Sequence, residues 1–283
     1  MLKNIVVATD FSQRAEAALQ RAVLLAKAQK PEKAHLHLVH IIDDDQAKMI
    51  INAQLQVATN TAKSMADDVA KDHGLVCTAV VKAGTPHITL AKIAQELDAD
   101  LIVVGAHRKH FLKDAFIGTT VERLIKSAHH PVLLTNLEAQ TPYTNAILAT
   151  DFSDGARHAA RTAFGLAVAP AGHVTPIHVF DPPLDDAGYA EAEAAASRMM
   201  HSFLQDVGHK AERGLVVPME TPVADLLVQA AEETKSEVII VGNRGQRGSA
   251  GDFLKQAFLG SIAQEVLSCA QQDVLVIPLA AQE

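Results

Sequence analysis

Two signatures in this 283-residue chain each occur twice, and that duplication constrains the fold more than any other feature. Ala8-Thr9-Asp10-Phe11-Ser12 returns as Ala149-Thr150-Asp151-Phe152-Ser153. Phe111-Leu112-Lys113-Asp114-Ala115-Phe116-Ile117-Gly118-Thr119 returns as Phe253-Leu254-Lys255-Gln256-Ala257-Phe258-Leu259-Gly260-Ser261. The register holds between them. Asp10 and Asp151 stand 141 apart, His40 and His178 138, Thr85 and Thr221 136, Gly105 and Gly242 137, and Gly118 and Gly260 142. Drifts of a few residues are loop insertions, and the step from 137 to 142 puts five extra residues between Gly242 and Gly260. A repeat this long is a duplicated domain, not a solenoid unit. The polar stretch from Asn136 to Tyr143 separates the copies, so the expected domains are 1–138 and 143–283, each an ordinary size for one core.

Within each copy, short apolar runs alternate with helical patterns. Ile5–Ala8, His35–Ile42, Leu75–Lys82, Leu101–Val104 and Val132–Thr135 read as strands. Helices are expected after Ser12 through Ala28, over 44–72, from Pro86 to Glu96 and from Thr119 to Ala128, with Ser12 as an N-cap and Pro86 in a first turn. The second copy repeats the order, with strands near 145–149, 173–180, 213–219, 237–241 and 273–277. Strands alternating with helices imply βαβ units, so the fold class is α/β with a mostly parallel sheet in each half. The chain has no Trp, so aliphatic side chains and Ala must fill the cores, as parallel sheets under Ala-rich helices allow.

Charge and composition exclude several function classes. A net charge of −8 disfavours a general nucleic-acid binder, which needs a basic face. No apolar run reaches membrane-spanning length and no leader pattern opens the chain. The two cysteines, Cys77 and Cys269, sit at unmatched positions and read as small buried hydrophobes in a reducing cytoplasm.

The repeated residues fall where strands end and helices begin, the edge at which open α/β sheets bind ligands. Strand four ends at Gly105 or Gly242, and Gly118-Thr119 or Gly260-Ser261 then opens a helix. A helix N-terminus carries free N–H groups and the positive dipole end, glycine admits a phosphate close to the backbone, and Thr119 or Ser261 adds a hydroxyl that can cap the helix. The alternative is an ordinary loop and cap. Asp10 and Asp151 follow strand one and could accept from a ribose or base, hold a metal beside phosphates, or cap the first helix together with Ser12 or Ser153.

Together these residues resemble the universal stress protein family. Its pattern is a first strand ending in Asp-x-Ser, His-Val or His-Ile on strand two, and Gly-x-x-Gly, nine residues, then Gly-Ser/Thr. The resemblance spans almost the whole chain as two tandem Rossmann-like domains of the adenine nucleotide alpha hydrolase-like type. It implies five parallel strands in the order 3-2-1-4-5 and binding of ATP or AMP, with Mg2+ as an accompanying ion. The nucleotide residues it implies are Asp10, Ile41, Gly105, Gly118 and Thr119 in copy one. In copy two they are Asp151, Val179, Gly242, Gly245, Gly260 and Ser261. Ile41 and Val179 would meet the base through their backbone.

Each copy departs from the pattern. Arg108 stands where copy one should have its second glycine, and it can pair with a phosphate or fill its space. Copy two keeps Gly245, but fourteen residues instead of nine precede Gly260, including the glycine-rich run Gln246–Asp252. The retained glycines favour copy two for binding. The resemblance also implies pairing of the halves through their last strands, Val132–Thr135 and Val274–Ile277, as a pseudo-dimer within one chain. Association of two chains as a homodimer, and the identity of any protein partner, stay open.

Other candidates are weaker. His35 and His37 share a strand face while His40 points away, so a metal set is not expected there. His107, His110, Lys113 and Lys255 flank the loops, and His129-His130 read as a turn. Met199, Met200 and Phe203 on the helix from Asp185 to Val207 read as core. No Ser/His/Asp set recurs, so the functional expectation is a cytoplasmic nucleotide-binding sensor or adaptor with at most weak ATPase activity. The alternatives are a nucleotide-free interaction module and an adenylating enzyme.

Overall fold

The computed structural model describes residues 1–29, 32–45, 48–106, 119–169, 173–208, 214–243 and 259–279. Arg108, Gly118 and Gly245, the loop residues His107, His110, Lys113 and Lys255, and the run Gln246–Asp252 lie outside them. The chain forms two compact units that divide between Pro142 and Tyr143.

In the first unit the strands are β1 (Asn4–Ala8), β2 (His35–Ile42), β3 (Cys77–Ala83), β4 (Leu101–Gly105) and β5 (Val132–Thr135). The helices are α1 (Gln13–Ala28), α2 (Lys48–His73), α3 (Pro86–Glu96) and α4 (Thr119–Ser127). The strand order is β3-β2-β1-β4-β5, and every neighbouring pair is parallel. Ile5, Val6 and Val7 are buried, as are Leu101 to Val104, because helices cover both faces of the sheet. α1 packs on β1, β2, β4 and β5, α2 on β2 and β3, and α3 on β2 and α4.

The second unit repeats the plan with β6 (Ala146–Ala149), α5 (Asp154–Leu166), β7 (Val174–Phe180), α6 (Asp186–Asp206), β8 (Leu215–Pro218), α7 (Val223–Glu233), β9 (Val238–Gly242), α8 (Ser261–Cys269) and β10 (Asp273–Ile277). Its strands run β8-β7-β6-β9-β10, again all parallel. In both units the chain reverses its direction of travel across the sheet between the first and fourth strands, and a crevice opens there at the carboxyl ends.

The start of the first strand is anchored the same way in both copies. Asp100 Oδ2 accepts from the backbone N–H groups of Lys3 and Asn4, at 2.6 and 2.9 Å. Glu237 Oε2 accepts from those of Thr144 and Asn145, at 2.6 and 3.2 Å.

Several elements differ from the sequence reading. α2 begins at Lys48 instead of residue 44, since Asp43–Asp45 make a turn in which the Asp45 N–H reaches Asp43 Oδ1. β3 begins at Cys77 instead of Leu75, after Gly74 adopts a positive φ of 58° and ends the helix. β8 is shorter than expected, Leu215–Pro218. On α6, Met200 and Phe203 are buried but Met199 faces outward. Cys77 is half-buried, and burial pushes its thiol up to about 11, so it is inert at neutral pH. Cys269 is exposed, contrary to its reading as a buried hydrophobe, because it closes the short helix α8.

Candidate functional site

The two strand-one turns are built alike, bond for bond. In the first, the Phe11 N–H donates to Thr9 Oγ1 at 2.9 Å and the Ser12 N–H to Asp10 Oδ1 at 3.0 Å. Ser12 Oγ then caps α1 by accepting from the Ala15 N–H at 3.4 Å. In the second, Phe152 donates to Thr150 Oγ1 at 3.0 Å, Ser153 to Asp151 Oδ1 at 3.0 Å, and Ala156 to Ser153 Oγ at 3.1 Å. The aspartate and serine therefore both shape the turn, and each aspartate has one oxygen committed to it.

Between them sits a phenylalanine with φ of 61° at Phe11 and 62° at Phe152. A non-glycine residue in this region costs about 1 kcal/mol. Ring packing and the hydrogen bonds on either side offset that cost. Phe11 lies over His40 with ring centroids 4.4 Å apart, and Phe152 over His178 at 4.2 Å.

His40 Nδ1 lies 2.7 Å from the Thr9 carbonyl oxygen, and His178 Nδ1 lies 2.8 Å from that of Thr150. A carbonyl can only accept, so Nδ1 carries the proton and Nε2 keeps the lone pair when the ring is neutral. The histidine before Ile41 and Val179 thus clamps the end of strand one. Sequence reasoning used it as a register pair and as part of the strand-two His-Ile/His-Val pattern and weighed it against metal binding, but did not foresee the clamp. His35 and His37 instead stack on each other at 4.1 Å, and His37 Nδ1 pairs with Thr78 Oγ1 at 2.8 Å. Burial, with His35 alongside, holds the buried His37 down to about 4.

The first crevice is a cleft of about 440 Å3 that brings Asp10, Ile41 and Gly105 together. Thr9, His40, Pro86 and Leu90 complete one part of it, and Thr120, Val121 and Leu124 of α4 the other. Arg14 also lines it, with Nη2 at 4.0 Å from Asp10 Oδ2 in an exposed pair. Desolvation raises the Asp10 carboxyl, but the bonds from Ser12 and the Arg14 charge outweigh it and hold Asp10 below the usual carboxylate range. Thr119 is the first residue of α4, so that helix starts at the cleft.

The second crevice measures about 220 Å3 and joins Asp151, Val179 and Gly242 with His178, Val223, Leu227, Ile262 and Ala263. Ser261 is the first residue of α8, and the cap position falls to Gly260, which has no side chain to cap with. The expected hydroxyl cap is therefore not made. Gly260 instead donates its N–H to the Asn243 carbonyl at 2.8 Å, tying the helix start to the end of β9.

The universal stress protein family model matches residues 1–136 and again 142–278. The chain belongs to the universal stress protein family. Universal stress protein MJ0577 of Methanocaldococcus jannaschii is 32% identical over 157 residues, which is 47% of this chain and 94% of that protein, so a relative of that length matches one half. Among solved structures, a universal stress protein from Archaeoglobus fulgidus superposes with a TM-score of 0.75 at 19% identity, over 97% of this chain and 98% of that one. The protein PA1789 from Pseudomonas aeruginosa, described as functionally unknown, gives 0.68 at 23% identity over 99% and 93%. These structural likenesses establish the tandem fold of the family. Among the described residues, no helix is long and apolar enough to cross a membrane.

Proposed function

We propose that this universal stress protein is a cytoplasmic sensor or adaptor that binds adenine nucleotide, ATP or AMP, with Mg2+ accompanying the triphosphate. The observation that carries this reading is the first-half cleft, in which Asp10, Ile41, Gly105 and the start of α4 converge around about 440 Å3 with Arg14 at hand. A base beside the Ile41 backbone and phosphates toward Gly105 and the α4 N-terminus would use each group as its chemistry suits. The second cleft offers Asp151, Val179, Gly242, Gly260 and Ser261 in the same roles in a smaller volume. The retained glycines of the second loop favour that half, whereas cleft volume and Arg14 favour the first, so we assign a site to each.

Turnover is slow or absent in this reading. Among the described residues, the ionisable side chains of the first cleft are Asp10, Arg14 and His40, and Asp10 and His40 are both engaged in holding the strand-one turn. Neither is a dedicated base for activating water.

Calorimetric titration of the stripped, intact protein with Mg-ATP and with AMP tests the proposal. Saturable heat at one or two sites per chain is expected. No heat at several temperatures, together with no nucleotide bound to the protein as purified, would overturn it.

A further inference from the structure

A second recess lies against the first-half cleft. It holds about 560 Å3 and is walled by Phe11, Ile42, Ala53, Val57 and Ala58. His40 and Ile41 line both the recess and the cleft, so the two spaces meet at the carboxyl end of β2. In the reading above that is the base end of the cleft. Gly105 and α4, which would face the phosphates, line the cleft but not the recess.

The walls select the chemistry. Apart from His40, Asp43 is the only ionisable side chain among the described residues that line the recess, and a carboxylate repels phosphate. An anionic group finds no cation among the described lining residues, and Gln54 and Thr61 are the other polar side chains on the walls, whereas an apolar group would lie on Phe11, Ile42, Ala53 and Ala58 and cover the exposed face of Val57, which is 67% accessible.

The duplicated half is built differently at this place. Phe152, the counterpart of Phe11, is 8% accessible and meets the fully buried Phe203 edge-on at 5.8 Å. Phe11 is only half-buried and stands as a wall of the recess. Two copies of one turn thus carry the same phenylalanine, sealed by an aromatic ring in one and, in the other, packed against the Ile42 and Ala58 cluster with part of its surface on the recess.

We infer that the first-half site takes an adenine nucleotide whose base carries an uncharged apolar substituent, with the substituent lying in the recess between β2 and α2. This rests on the proposed nucleotide reading and narrows its ligand class. The test compares AMP with N6-benzyl-AMP by calorimetry on the intact protein. The substituted nucleotide is expected to bind at least about tenfold tighter at one site per chain. Val57→Glu, a change at an exposed helix position away from the cleft, should abolish that gain while leaving AMP affinity as it was. AMP binding with no gain, or a loss, for N6-benzyl-AMP would overturn the inference and leave nucleotide binding standing. A gain that survives Val57→Glu would overturn the assignment to the recess. Failure of both nucleotides to bind would overturn the inference, and if Mg-ATP also gave no heat it would remove the proposed function itself.

Discussion

The backbone carbonyl oxygen of Arg14 stands 2.6 Å from the point a Cβ on Gly105 would occupy, and its carbonyl carbon 2.9 Å. The first turn of α1 therefore presses directly on the end of β4. Glycine is required there by packing, whatever ligand the cleft takes. Gly105→Ala should destabilise the ligand-free protein by about 1–3 kcal/mol, the usual cost of forcing extra atoms into a packed contact. The midpoint of urea unfolding without nucleotide measures it, and an unchanged midpoint would mean that the first turn can retreat freely.

That contact also shows where sequence reading stops. The strands were legible because burial on both faces leaves continuous apolar runs such as Ile102-Val103-Val104. The site was legible in outline because the copies repeat Asp10 as Asp151 and Gly105 as Gly242. What presses on Gly105 comes from a distant part of the chain, and spacing cannot express that. Nor does any pattern suggest a phenylalanine at positive φ, since bulky residues avoid that region. Only the fold reveals that Phe11 and Phe152 hold it by lying on His40 and His178. Ser261 failed as a cap because Gly260, one residue earlier, takes the extended cap conformation.

The serine caps are local and should be separable. Ser12 accepts from Ala15 at 3.4 Å and Ser153 from Ala156 at 3.1 Å. Replacing either by alanine should cost about 1 kcal/mol in its own unit, with the shorter Ser153 bond costing at least as much. Chemical unfolding of each single variant checks this. The double variant should lose the sum, because the two caps share no partner.

Stability should also fall on mild acidification. His37 is held down to about 4 in the folded state, against an ordinary value of 6.5, chiefly by burial. Between these values the unfolded chain takes up a proton that the folded chain refuses. The contribution is complete above about pH 6.5 and disappears progressively toward pH 4, amounting to roughly 3 kcal/mol at most. His35 and His130 are also lowered by burial and act in the same direction. Asp10, held below its ordinary 3.8, adds a separate loss at still lower pH as its carboxylate is protonated. His37→Gln should flatten the slope between pH 6.5 and 4 without removing it. A variant with the parent's full slope there would show that His37 is not the group responsible.

Gly260 offers the contrasting experiment to Gly105. It caps α8 with φ −61° and ψ 147°, an extended conformation that valine adopts without strain. Its N–H bond to the Asn243 carbonyl does not depend on a side chain, so valine keeps it. Gly260→Val should therefore fold with a urea midpoint close to the parent's, unlike Gly105→Ala. Its branched side chain would stand before the free N–H groups that open α8, where a phosphate has to approach. Calorimetry with Mg-ATP should then show one site per chain fewer than the parent, at unchanged stability. Unaltered affinity and stoichiometry would mean that no nucleotide phosphate sits at the start of α8, leaving the first-half cleft to account for any binding the parent shows.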